Sequence, residues 1–65
     1  MKAPDVVPLA VEEALLRFSS QHSVPQESLF ARLRQELKFD PIMGCYWFDY
    51  AGMYHGVELN GSIHT

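Results

Sequence analysis

Surface chemistry needs a nucleophile, a base or a metal ligand, and this chain is sparing with all three. Its one cysteine is Cys45, and its histidines are His22, His55 and His64. Nucleophilic catalysis by Cys45 would require a base in reach and a group to orient that base, with His55 or His64 and Asp49 as the candidates. In the hairpin register derived below, Cys45 and His55 fall on opposite faces. A chain of 65 residues also has little room for a substrate cleft. No pair of these ligands has the roughly two-to-four-residue spacing of a structural zinc knuckle. No glycine-rich phosphate loop is present either. The expectation is therefore a protein that is not an enzyme, with no catalytic residue, no cofactor, no metal and no evident small-molecule substrate. Cys45 itself reads as a small, half-buried apolar residue.

Length and composition narrow the class further. Sixty-five residues allow one small domain at most. A domain of this size buries only about 60% of the surface that its unfolded chain exposes. A single cysteine rules out an internal disulfide. Hydrophobic residues make up 48% of the chain and charged residues 20%, a globular rather than a disordered balance. The net charge of −3 has the wrong sign for a protein that coats nucleic acid. No apolar run approaches the roughly 18 residues needed to cross a bilayer. None of about 7–15 follows the basic start as a signal peptide would. The lone cysteine suits a reducing compartment, so the expected location is the cytoplasm, with no membrane partner.

The elements that must position these residues follow from spacing. Residues 1–7 are a lead-in, residues 8–38 a helical hairpin and residues 43–65 a β-hairpin or meander. Pro8 suits a first helical turn. Val11, Ala14, Leu15 and Phe18 then recur at i, i+3, i+4 and i+7. The polar stretch from Ser19 to Ser23 should end this helix. Ser23 and Gln26 have the spacing of a capping box, with Pro25 in the first turn of a second helix. Leu29, Phe30, Leu33 and Leu37 form its apolar stripe. Arg32, Arg34 and Lys38 lie toward its end, and Phe39-Asp40-Pro41 stops it. Asn60-Gly61 signals a hairpin, after which Ser62 to Thr65 can add a brief third strand. The predicted core is Leu9, Val11, Leu15, Phe18, Leu29, Phe30, Leu33, Leu37, Tyr46, Phe48 and Val57. The fold class is α+β, a two-helix hairpin packed on a two- or three-stranded antiparallel meander.

If Ala51-Gly52 is a two-residue turn, Tyr50 faces Met53, Phe48 faces His55, Tyr46 faces Val57 and Gly44 faces Leu59. These side chains share one face, which the helices should cover. The opposite face carries Cys45, Trp47, Asp49, Tyr54 and Glu58, and leaves Trp47 and Tyr54 uncovered. Aromatic residues bury much area at little entropy cost, so they anchor interfaces well. Trp47, Tyr54, Asp49 and Glu58 are accordingly the candidate protein-binding residues. An open strand edge could also pair with a second copy. The favoured reading is a small regulatory protein of adaptor or inhibitor type, binding a protein partner and self-associating as a dimer through the aromatic hairpin.

The second reading rests on residues 20–33, Ser-Gln-His-Ser-Val-Pro-Gln-Glu-Ser-Leu-Phe-Ala-Arg-Leu. This segment resembles the turn and second helix of helix-turn-helix proteins. The hairpin that follows resembles the winged-helix, excisionase-like variants of that family. The resemblance implies a small DNA-binding regulator whose second helix enters the major groove. By that resemblance, Gln26, Ser28, Arg32 and Arg34 would face DNA, and Arg17 and Lys38 would reach phosphates.

Overall fold

The computed structural model describes residues 2–22 and 25–64. Helix α1 spans Leu9–His22 and helix α2 spans Gln26–Glu36. Four strands follow: β1 (Lys38–Asp40), β2 (Cys45–Tyr50), β3 (Met53–Val57) and β4 (Ile63–His64). They form one antiparallel sheet in the order β1-β2-β3-β4. The class is α+β, and the strand count of two or three expected from sequence is corrected to four.

The helices differ from expectation at their ends. The Ser19-Ser20 stretch does not stop α1, which runs on to His22. Ser19 is fully buried and its hydroxyl donates to the Leu15 carbonyl at 2.7 Å. Ser20 likewise donates to the Arg17 carbonyl at 2.9 Å, so these polar side chains are satisfied within the helix itself. Pro25 stands just outside α2 in extended conformation, with no side-chain cap. Ser23, the other half of the expected capping box, lies outside the described residues. The Gln26 amide instead donates across to the Leu16 carbonyl at 3.0 Å, tying the helices together.

The second helix also ends two residues early. Leu37 turns to an extended conformation, and residues 38–40 pair with residues 45–47 as a strand. Proline disfavours helix in the residue before it, and here the extended segment finds a ladder. Lys38 is therefore a strand residue rather than a helical one. The β1–β2 turn is closed by Asp40, whose Oδ1 accepts from the Ile42 and Met43 amides at 2.9 and 3.2 Å.

The β2–β3 turn follows expectation. Ala51 and Gly52 both have positive φ, 54° and 79°, as a two-residue type I′ hairpin requires. The pairs Tyr50–Met53, Phe48–His55 and Tyr46–Val57 form as expected. The Asn60-Gly61 hairpin forms with a longer loop. Gly61 N–H donates to the Glu58 carbonyl and Glu58 N–H to the Ser62 carbonyl, which leaves Leu59, Asn60 and Gly61 as a three-residue loop. Only Gly61 takes positive φ there, at 94°, which is the type I turn followed by a left-handed residue. The strand beyond it is Ile63–His64, and Thr65 lies outside the described residues.

The core lies between the helices and the inner sheet face. Val11, Ala14, Leu15, Phe18, Leu29, Leu33, Tyr46, Phe48 and Val57 form its buried centre. Phe30, Leu37 and Phe39 pack partly buried against it. Leu9, expected in the core, is 70% exposed. It lies two residues before Val11, which at about 100° per residue turns it roughly 200° away from the buried stripe. It shares the outer surface of α1 with Leu16, one heptad on.

Leu33→Ala should cost about 2–5 kcal/mol and Phe18→Ala about 3–5 kcal/mol, read as a fall in the midpoint of a denaturant melt. An unchanged midpoint for either would refute this packing. Ala51→Asn should raise stability by up to about 1 kcal/mol, because a left-handed backbone penalises alanine by about 1–2 kcal/mol; thermal melting checks the sign.

Candidate protein-binding face

Because side chains alternate along strands, the register divides the sheet cleanly. Phe39, Tyr46, Phe48, Val57 and His55 point toward the helices. Lys38, Asp40, Cys45, Trp47, Asp49, Tyr54, Gly56 and His64 belong to the other face. Both helices pack on the first face, so the second is left open. The four residues singled out from sequence, Trp47, Asp49, Tyr54 and Glu58, all belong to that open face, as expected.

Trp47, Asp49 and Tyr54 come together with Glu36 and Lys38 around a groove of about 250 Å³. A second, shallower groove of about 510 Å³ adjoins it, bounded by Lys38, Asp40, Pro41, Trp47 and Tyr54. Lys38, Trp47 and Tyr54 border both. Tyr54 is 68% exposed, whereas Trp47 is half-buried. Glu58 stands apart from both grooves and pairs with His64, Nε2 to Oε2 at 2.8 Å. The His64 ring lies over Gly56, where an added Cβ would come within 2.9 Å of it. The same ring meets Trp47 edge-on, with centroids 6.3 Å apart. Gly56 therefore leaves the space in which His64 and Trp47 approach each other across β3.

Cys45 belongs to the open face by register but is only 1% exposed. Burial pushes its thiol above the ordinary value of 9.0, and the nearby carboxylates of Glu58 and Asp40 push it further. The Trp47 indole N–H, directed toward the sulfur, acts weakly the other way. That contact falls short of good hydrogen-bond geometry, so the indole nitrogen is a buried donor without a proper partner. A thiol held protonated and away from solvent is the reverse of an activated nucleophile. His55 lies on the other side of the sheet, stacked on Phe48 with centroids 5.2 Å apart. Among the described residues, no group of three or more His, Cys, Asp or Glu is arranged to hold a metal ion.

The residues expected to meet DNA are dispersed. Gln26 is engaged with the Leu16 carbonyl. Arg17 donates to the Gly61 carbonyl at 3.0 Å, fastening the β3–β4 loop to α1. Arg34 pairs with Glu12 at 3.5 Å. Arg32 lies over the Tyr50 ring, 5.8 Å from its centroid. Lys38 belongs to the open sheet face, away from the helices. The exposed residues of α2 are Glu27, Ser28, Ala31, Arg32, Gln35 and Glu36, two acids against one base. Phosphate attraction scales with the charge that a surface neutralises, and this surface offers little.

The sequence pattern does not show Lys38 and Asp40 as members of the open face, because β1 is not legible in its apolar spacing, nor that Glu36, at the end of α2, reaches the groove. The signal was present in Pro41, whose effect on the preceding residue is to extend it. Comparison with family models, curated proteins and solved structures found no match to this chain. No helix among the described residues is long and apolar enough to cross a membrane.

In the native protein, Cys45 should react with a thiol reagent such as DTNB at pH 8 far more slowly than in the denatured chain. Rapid stoichiometric labelling of the folded protein would contradict the burial described. The sign of the linked stability follows from the raised thiol. The folded state keeps the proton after the unfolded state has lost it, so this contribution is present below pH 9.0 and declines as pH rises through the folded value. Cys45→Ser should remove that alkaline dependence, which denaturant melts between about pH 8 and pH 10 would read.

Proposed function

We propose that this chain is a small regulatory protein of adaptor or inhibitor type, which acts by binding another protein through the open face of its sheet. The observation that carries the reading is the pair of adjoining grooves, both bordered by Lys38, Trp47 and Tyr54. The core is built wholly on the opposite face, so Tyr54 has no structural duty that would explain its place. Exposed aromatic side chains beside a concave surface are the usual anchors of protein recognition. Trp47 supplies a half-buried, held platform, and Tyr54 a rim that a partner can cover. Asp49, directly opposite Tyr54 in the β2–β3 ladder, supplies polarity beside the anchor. Glu58 lies two rows further along, bonded to His64.

A second copy of this chain is the competing occupant of this face. The edge strands β1 and β4 contain only three and two residues, and edges this short are poor templates for pairing. Any dimer would therefore use the open face rather than an edge. Sedimentation over a concentration series measures this directly.

Tyr54→Glu should abolish partner capture from native cells while leaving the thermal melt within a few degrees. Arg32→Glu, on the helix side, should leave capture intact. Equal loss in both variants, or in neither, would remove the open face from the mechanism.

A further inference from the structure

The charge on this protein is unevenly placed, and the imbalance describes its partner. The chain has eight acids and five bases. Glu36, Asp40, Asp49 and Glu58 lie on or beside the open sheet face, with Lys38 as the one full positive charge among them. Asp5, Glu12, Glu13 and Glu27 make up the remaining acids, and Lys2, Arg17, Arg32 and Arg34 the remaining bases. Four against four cancels, so the whole formal charge of −3 resides at the open face.

Three of the four bases in the cancelling set are engaged, and at the open face Glu58 is held by His64 and Asp40 by the Ile42 and Met43 amides. Arg34 pairs with Glu12, Arg17 with a carbonyl, and Arg32 with an aromatic ring. At the groove, the carboxylates of Glu36 and Asp49 have no ion pair or hydrogen bond among the described residues. Two carboxylates thus stand beside Trp47 and Tyr54 with one lysine between the grooves. Aromatic faces and carboxylates are complementary to the same ligand group. A guanidinium stacks on a ring through its planar cation and bonds carboxylates through its fork of N–H donors.

We propose that the open face takes an arginine-bearing basic segment of its protein partner, with the guanidinium against Trp47 and Tyr54 and between Glu36 and Asp49. This rests on the protein-binding reading and names the chemistry of the partner. A second copy does not fit: face-to-face docking would set four carboxylates against four, and like charges at an interface are strongly unfavourable. DNA does not fit for the same reason of sign.

The test uses the full chain labelled with nitrogen-15 and an acetylated hexa-arginine peptide, with hexa-lysine and hexa-glutamate as comparisons. Trp47 is the one tryptophan in the chain, so its indole signal reports on the groove alone. Hexa-arginine should shift the Trp47 indole and the amides of Asp49 and Tyr54. Hexa-lysine should bind more weakly and hexa-glutamate not at all. Affinity should fall steeply between about 50 and 500 mM salt. The double variant Glu36→Gln, Asp49→Asn, checked for an unchanged melt, should lose about tenfold in affinity or more. The proposal is overturned by no shift at millimolar peptide, by equal shifts with hexa-glutamate, by unchanged affinity in the double variant, or by shifts centred on α2. A concentration-dependent dimer whose interface shifts map to Trp47 and Tyr54 would overturn it as well. If Tyr54→Glu abolishes capture of the native partner but the double variant does not, the binding face stands and the charge assignment alone falls.

Discussion

The interaction on which the rest of this fold depends is the seating of the Phe18 ring between helix and hairpin. It stacks on His22 one turn along α1, with centroids 4.0 Å apart. It meets Phe48 and Tyr50 of β2 and His55 of β3 edge-on, all at 5.0–5.3 Å. Aromatic pairs in these geometries each contribute about 0.5–1.5 kcal/mol beyond the area they bury. For a chain with no disulfide and a small core, such a cluster is a large part of what holds helix to sheet. Its geometry also orients the hairpin. Phe48 and His55 must face α1, so Trp47, Asp49 and Tyr54 must face away.

That obligatory alternation is how the structure connects packing to function. Both described helices pack on the same face of the sheet. With one layer of helices, every second residue of the hairpin is committed to the open side. There the chain has put a tryptophan, a tyrosine and the carboxylates of Glu36 and Asp49. The grooves at Trp47 and Tyr54 are products of the strand pleat and of β1 closing the sheet on one flank. Lys38, brought in by β1, both borders the grooves and tempers their negative charge.

Cys45 shows how context overrides residue type. In sequence it stands with His55, His64 and Asp49 as potential catalytic company. In the fold His55 is across the sheet, and Glu58, which engages His64, faces the thiol as a like charge that opposes ionisation. The sulfur becomes a packing atom under the open face. Gly56 has the complementary part: only the missing side chain lets the His64 ring lie flat against the strand, where it can reach Glu58 and approach Trp47.

The two helices, the aromatic hairpin, its register and therefore which residues share a face are legible in the amino-acid sequence. These are local matters: apolar spacing of 3.6 or 2 residues and turn chemistry at Ala51-Gly52 and Asn60-Gly61 decide them without reference to distant chain. It misplaced Leu9, the end of α1, and the first strand. Ser19 looked like a helix stop because polar residues favour turns, but burial with a hydroxyl bonded to the preceding turn reversed that preference. Lys38 looked like the tail of a helix and Phe39-Asp40 like its stop, because the strand character of residues 38–40 exists only once β2 is beside them to complete the hydrogen bonds. The same non-local pairing decided the binding face. Glu36, Lys38 and Asp40 are far from Tyr54 in sequence, and only the closing of β1 on β2 sets them around the same grooves. What tertiary structure added was proximity between distant segments, which no local periodicity encodes.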